Sequence, residues 1–472
     1  MPQRRAHVAP SAAQSELAAA LAGLRASLDA PVEFSAQAES EAASASASVP
    51  ELDLRDVPFV TLDPPGSKDL DQAFHLARAG SGFEVRYAIA DVPSFVTPGG
   101  ALDAAARLRG QTLYAADGSI PLHPRSLSED RASLLPDVER PALVWTFALS
   151  GDGDVTDFRL ERALIRSRAQ LEYAALQRML DAGEESPADL LRGIGELRVE
   201  QERARGGASL NLPDEEVVRA DDGTYRIERR RPLPVEEWNA QLSLMTGMTA
   251  ASVMIDAGVG VLRTMPQPDE KSFEAFRRQT EALGRPWTRG EYGEYLRELD
   301  RADPLTLPVL EAAAALFRGA GYVVFDGAAP ADAEQAAIAA PYAHATAPLR
   351  RLVDRWALAI CLAVSSGREA PGWARESLPE LPGLMQASSQ RASKLNSATI
   401  NCVEAALMTP FVGSRVEASV IEIRDGDRAA VQIADPAVTA SAPVPAGSAP
   451  GDIVSLTLVR ADITKGELEF ST

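Results

Sequence analysis

Pro64-Pro65-Gly66 stands directly behind an alternating run, Phe59 to Asp63, and no strand passes through it. Consecutive prolines offer no amide donors to a ladder, so Asp63 ends a strand and a short loop follows. In that loop Asp69 and Asp71 are two residues apart. An extended backbone turns both to one side and Leu70 to the other, toward apolar neighbours. Three carboxylates thus fall within nine residues. Gathered carboxylates relieve their repulsion by protonating one member or by binding a divalent cation through hard oxygen ligands. Spacing alone weighs the cation equally against ordinary turn and cap chemistry.

With 472 residues the chain is long enough for roughly three domain-sized units and a sizeable core. Its two cysteines, Cys361 and Cys402, form no CxxC and sit in no Cys/His group, which excludes a disulfide framework and a structural zinc site. Glu16 and Arg25 interrupt the N-terminal Ala-rich segment, so no signal-peptide core forms, and no long apolar run follows. A soluble cytoplasmic protein, monomeric and without a membrane partner, is expected. The net charge of −20 argues against a generic nucleic-acid coat, so any RNA contact must be local. Four Lys stand against 43 Arg, a bias that genome composition explains better than a demand for bidentate phosphate contacts.

Residues 1 to about 50 read as a small helical module and linker. A helix over Ala12 to Leu28 carries Leu17, Leu21 and Leu24 at helical spacing, and a second covers Ala36 to Ala47. Beyond the first five residues the only Arg or Lys there is Arg25, which weighs against a helix-turn-helix DNA reader. From Leu52 the pattern turns strand-rich. One hairpin turns at Ala79-Gly80-Ser81-Gly82, and another at Gly151-Asp152-Gly153-Asp154, which lacks the rest of a calcium loop. Asp91 closes a strand near the acidic loop. LDAAARLR is helical, IPLHP a buried crossing, and Arg125 to Leu134 a helix or turn. Helices are predicted over Leu171 to Ala182, Pro187 to Arg205, Val235 to Ala257, Glu270 to Ala282, Gly290 to Arg301 and Leu307 to Gly319. The basic run Arg226 to Arg231 reads as a solvated face, with an RNA path as the second reading.

A second block, HATAPLRRLVDRWALAICLA, places Thr346 as a cap and Pro348 in the first turn of a helix, with Arg350 near its N-terminus. Leu349, Leu352, Val353, Trp356 and Ile360 form its apolar stripe, and Arg350 and Asp354 stand side by side off it. A guanidinium beside free N–H groups is a phosphate site; the alternative is a weak surface pair. From Val412 five short strands, with turns at Asp425-Gly426 and Lys465-Gly466, predict an OB-type barrel. Only Phe411 and Phe470 flank it, so its hold on bases should be weak.

The run TLDPPGSKDLDQAFHL resembles the signature of the ribonuclease II (RNB) family of exoribonucleases. The similarity continues through YAIADVPSFV, LDAAARLRGQTLYAADGSIPLHPRSLSEDRASL and YAHATAPLRRLVDRWAL, from about Leu52 to about Leu407. It implies an α+β fold: an RNB-type catalytic domain of mixed sheet and packed helices over residues 51–411, then an RNA-binding OB-fold barrel over residues 412–472. It also implies processive 3′-to-5′ hydrolysis of single-stranded RNA to nucleoside 5′-monophosphates with Mg²⁺ or Mn²⁺. Asp63, Asp69 and Asp71 would hold metal directly or through water, Asp71 being the most critical, and Arg350 would stabilise charge growing on the phosphate. The Thr346 to Arg351 block takes the phosphate role, with Arg351 and His344 beside it, and Tyr173 matches a base-stacking aromatic.

Three departures accompany the resemblance. Gln72 stands where a fourth acid is usual and joins the metal set only as a neutral amide whose oxygen can bind the cation or hold a metal-bound water, the partner aromatic falls at about Val259, and a late acidic position falls near Ile400. A catalytically weakened RNA-binding protein and a nuclease that prefers DNA are therefore the rival classes. His75 and His123 read as structural, as does Tyr173 in its alternative reading, a half-buried helix residue. Family members commonly carry two cold-shock barrels ahead of the catalytic domain, and about 50 residues cannot hold them. A less obstructed entrance, admitting RNA with a 3′ overhang close to its duplex, is the expectation.

Overall fold

The computed structural model describes residues 5–7, 12–28, 32–116, 118–186, 188–207, 214–219, 225–300, 306–424, 427–433 and 438–472. A short strand, Arg5–His7, is followed by two helices, α1 (Ala12–Ala26) and α2 (Ala36–Ser44). Ser35 caps α2 by accepting from the Ala38 N–H, and Glu41 of α2 accepts from the N–H groups of Ala101 and Leu102. A carboxylate there satisfies donors that open the helix α3 (Ala101–Arg109), so the N-terminal segment is built into the body of the protein.

Seven strands form the main sheet: β1 (Leu52–Asp53), β2 (Val60–Asp63), β3 (Gln72–Ala79), β4 (Gly82–Ala90), β7 (Glu139–Leu149), β8 (Val155–Arg166) and β9 (Ala169–Glu172). Between β4 and β7 lies a small hairpin, β5 (Leu113–Ala115) and β6 (Gly118–Ile120). The sheet order is β9-β2-β3-β4-β7-β8-β1, antiparallel except where β9 joins β2 and β1 joins β8. Both predicted hairpins form. At the first, Gly82 passes so close to the neighbouring strand that an added Cβ would lie 1.9 Å from the Leu149 carbonyl oxygen. Each face of the sheet covers a core. Phe74, Tyr87, Trp145 and Phe147 belong to one, and Phe59, Leu70, Ala88 and Val144 to the other.

The chain continues through α4 (Tyr173–Ala182), α5 (Asp189–Ala204) and α6 (Pro234–Ala257). The first of these begins two residues later than predicted because Leu171 and Glu172 belong to β9, a strand the sequence reading assigned to the helix. The TYRIERRRPL run also contains a strand, Tyr225–Arg230, between Arg5–His7 and Asp214–Arg219. Arg230 is exposed and ion-paired with Glu236; the side chains of Arg226 to Arg229 lie outside the described residues. A further ladder, β10 (Val259–Thr264) with β11 (Gly321–Asp326), brackets α7 (Glu270–Ala282), α8 (Tyr292–Glu298) and α9 (Thr306–Ala314). Pro187 and Arg301, at the ends of two predicted helices, lie outside the described residues.

Two helices organise the remainder, α10 (Leu352–Ser365) and α11 (Leu381–Met408). Every residue of α10 from Leu352 to Ala363 is buried, so it is a core helix and not the one-sided helix the apolar stripe predicted. Helix α1 lies on α11, joining Leu17 and Leu21 to Val403 and Ala406. Last come β12 (Arg415–Ile423), β13 (Arg428–Ile433), β14 (Val438–Pro443), β15 (Ile453–Asp462) and β16 (Glu467–Ser471), in the order β14-β13-β12-β15-β16. The edge strands β14 and β16 approach each other, giving a nearly closed antiparallel OB-type barrel. Its Phe470 is buried in the barrel core. The turn read at Asp425-Gly426 lies outside the described residues.

Candidate active site

The acidic loop is pinned at Leu70. Its side chain is fully buried, its N–H donates to Ser133 Oγ at 3.0 Å, and its carbonyl accepts from the Leu134 N–H at 3.0 Å. Ser133 Oγ also donates to the Lys68 carbonyl at 2.6 Å. With Leu70 anchored inward, Asp69 and Asp71 flank it as the alternation requires.

Asp71 is 4% exposed and meets a segment far along the chain. Its Oδ1 accepts from the Leu349 N–H at 2.8 Å, and its Oδ2 lies 3.4 Å from Arg350 Nε. Gln72, which follows Asp71 and opens β3, donates its amide to the Thr346 carbonyl at 2.5 Å. Three contacts therefore join the two blocks. Asp63 stands at the end of β2 in register with Glu172 of β9, so Tyr173 begins α4 beside it. Tyr173 is half-buried, and its hydroxyl accepts from Asn239 Nδ2 at 3.3 Å.

The Thr346–Arg351 segment differs from the predicted helix start. Helix α10 begins at Leu352, and the preceding residues form a turn in which the Ala347 carbonyl accepts from the N–H groups of Arg350 and Arg351. Thr346 is not the cap. Asp354, fully buried, accepts from the N–H groups of Thr346 and Ala347 and pairs with Arg351 through Nε and Nη2, each at 2.9 Å. The predicted Arg350–Asp354 pair is thus replaced by Arg351–Asp354. One carboxylate consumes the inner guanidinium and two backbone donors, which leaves Arg350, 44% exposed, to face the acidic loop. His344 is bonded through Nδ1 to the Tyr322 hydroxyl at 2.7 Å, and burial followed by the charge of Arg351 holds it neutral, well below its ordinary pKa.

Burial raises the Asp71 carboxyl to about 8 against the pull of Arg350, and raises Asp63 to about 6 with the charge of Asp69 adding to it. Both acids are thus short of compensating charge, and each feels Asp69 and Arg350. Among the described residues no group of three or more His, Cys, Asp or Glu is closed enough to hold a metal. Asp71 is tied to Leu349 and Arg350, whereas Asp69 accepts from the Tyr114 hydroxyl at 3.4 Å, so the carboxylates stand along the loop instead of around one point. The donor set nevertheless suits a hard cation. All the side chains are oxygen donors, and Asp63 Oδ2 is buried with no hydrogen-bond partner.

Tyr114, on β5, was missed in the sequence. Its ring is 60% exposed in front of the acidic loop, and the signal was available: Leu113 is buried, so strand alternation turns Tyr114 outward. The remaining candidates are taken up by the structure around the site: Asp91, next to Ala90 whose N–H donates to the Asp71 carbonyl, is buried in an ion pair with Arg162; His123 is buried against Pro348 of the arginine turn and pushed down to about 3 by that burial; Val259 is buried in β10, and Ile400 lies on α11.

A mixed sheet whose strand-end acids face an arginine turn, followed by an OB-type barrel, defines a class that sequence comparison makes specific. Residues 51–364 match the RNB domain, and residues 414–472 match the RNase II-type exonuclease C-terminal S1 domain; the chain belongs to the RNB family. The Arabidopsis thaliana protein named exosome complex exonuclease RRP44 homolog A is 30% identical over 320 residues, covering 64% of this chain and 34% of that protein. The chain spans about a third of the length of that relative. In fold it is similar to Mycoplasma genitalium RNase R in complex with ribose methylated single-stranded RNA, with a TM-score of 0.86 and 17% identity over 97% of this chain and 78% of the other. It is also similar to yeast Ssd1, a pseudonuclease, with a TM-score of 0.68 and 18% identity over 88% and 52% of the two chains. Among the described residues no helix is long and apolar enough to cross a membrane.

Proposed function

We propose that the chain is an exoribonuclease that hydrolyses single-stranded RNA processively from its 3′ end and releases nucleoside 5′-monophosphates. The observation that carries this reading is the meeting of Asp71 with Leu349 and Arg350. It sets a guanidinium able to bind a phosphate next to the buried Asp71 and the half-buried Asp63, whose oxygens suit a hard cation.

Asp63, Asp69 and Asp71 would hold Mg²⁺ or Mn²⁺, with Gln72 beside them. The ion would supply a nucleophilic water at neutral pH and neutralise charge on the phosphoryl oxygens. The protein's own groups orient the substrate. Arg350 reaches the phosphate next to the 3′ end and stabilises the charge that grows there. The exposed Tyr114 ring offers a stacking surface for a terminal base, and Tyr173 lines the other side of the acids. Arg351 and His344, held by Asp354 and Tyr322, keep the turn in place. The barrel, with no exposed aromatic among its described residues, guides the strand by backbone contacts alone.

The test is the full-length protein with end-labelled RNA and DNA strands, in Mg²⁺, in Mn²⁺ and with chelator. Stepwise shortening of RNA alone, abolished by chelator, supports the proposal. RNA binding without cleavage would instead place the chain with the weakened members of its family, as Gln72 in place of an acid favours, and equal digestion of DNA would change the substrate class.

A further inference from the structure

The β5–β6 hairpin that carries Tyr114 has three residues in each strand, too little surface to hold a fixed position by itself. Its inner residues, Leu113 and Ile120, share a small core with Leu395 of α11, and Leu24 of α1 and Leu28 just past its end pack over that core. Arg25 lies along the same edge: a Cβ added to Gly118 would stand 3.3 Å from its Nη1. The front of the hairpin is tied to the site, since the Thr112 N–H donates to the Arg350 carbonyl at 3.0 Å. Helix α1 is in turn seated on α11 and reaches Ile463 of the barrel. The Tyr114 ring has little packing of its own, and its hydroxyl meets Asp69 Oδ2 at 3.4 Å. Its place in front of the acids is therefore inherited from whatever holds the hairpin.

We infer that α1 is a positioning element of the active site: Leu24 and Leu28 press the hairpin against α11 and so set the Tyr114 ring where a terminal base stacks. This rests on the reading of Tyr114 as a stacking surface. The N-terminal segment thereby contributes to substrate grip without touching substrate, and the residues that do so lie on the side of α1 toward the hairpin.

The experiment uses the full chain, a fluorescent single-stranded RNA and chelator, so that binding is read without turnover. Three variants are compared: Tyr114→Ala, Leu24→Ala with Leu28→Ala, and all three substitutions together. Tyr114→Ala should weaken binding by roughly five- to tenfold, the ordinary worth of one stacked base. The helix variant should weaken it by a similar factor, and the combined variant no further than Tyr114→Ala alone. Hydrogen exchange should quicken at residues 113–116 and 118–120 and stay unchanged in α11. Losses that multiply in the combined variant overturn the inference, since α1 would then act elsewhere. So does a helix variant that binds as tightly as wild type while Tyr114→Ala binds weakly; the stacking reading would survive that result. If Tyr114→Ala itself binds normally, the stacking reading fails and the inference with it. Should the double substitution unfold the protein, Leu28→Ala alone, at a partly exposed position, is judged by the same outcomes.

Discussion

The backbone N–H of Leu349 donates to Asp71 Oδ1 at 2.8 Å across 278 residues of chain. The other oxygen of the same carboxylate faces Arg350 Nε at 3.4 Å. One acid thus fixes where the arginine turn sits relative to the acidic loop. A buried donor–acceptor pair of this kind is costly to leave unmade.

Asp71→Asn separates these two tasks. The amide oxygen still accepts from Leu349, but no charge is left for Arg350 or a cation. Turnover of RNA should fall by about 10²-fold or more, while affinity for the same strand changes by less than about threefold. Binding and single-turnover measurements on one oligonucleotide check this, and an equal loss of both contradicts it.

Stability should depend on pH through the same acids. Asp63 and Asp71 are raised from 3.8 to about 6 and about 8 when folded, so the folded state holds their protons longer than the unfolded chain does. Their favourable contribution is complete below about pH 4 and is lost as pH rises through 6 and 8. In chelator, the melting temperature of wild type should fall across that window relative to Asp71→Asn, and Mg²⁺ should restore it. Parallel curves for the two proteins would show that Asp71 keeps its charge at no cost.

Gln72→Asp is not a simple return to a fourth acid. The Gln72 amide donates to the Thr346 carbonyl, and an ionised carboxylate would face that carbonyl with a second acceptor. Added charge should tighten metal binding, yet the loss of the donor should lower stability by about 1 kcal/mol. Chemical denaturation in chelator, beside metal titration of the rate, reads the two effects apart. A variant as stable as wild type would mean that the Thr346 contact is dispensable.

Arg350 and Arg351 are adjacent and should respond oppositely. Arg350→Ala removes a partly exposed side chain whose partner, Asp71, can take up a proton in its place, so stability should move by about 1 kcal/mol or less while turnover collapses. Arg351→Ala leaves the fully buried Asp354 without its guanidinium, a loss of about 3–5 kcal/mol. Urea denaturation and initial rates distinguish them, and similar stability losses in both would refute the assignment.

Local chemistry determined much of this molecule in advance. Pro64-Pro65 ends β2 at Asp63, glycine turns set both hairpins, alternation lays out the five barrel strands, and helical spacing places α7 at Glu270–Ala282. These features depend on neighbours in sequence, where backbone sterics and side-chain period act directly. The acidic loop was legible for the same reason.

Tertiary structure alone decided which partners those groups meet. Leu171 and Glu172 join β9 because a parallel neighbour, β2, lies open to them, and so Tyr173 starts a helix beside Asp63. Asp354 takes Arg351 instead of Arg350 because its carboxylate is buried under the Thr346 turn, where only the inner guanidinium can reach it. Tyr114 faces Asp69 because α1 and α11 hold its hairpin from behind. Each of these contacts joins segments whose meeting is set by packing of the whole chain, and burial then sets the charge state of the acids they surround.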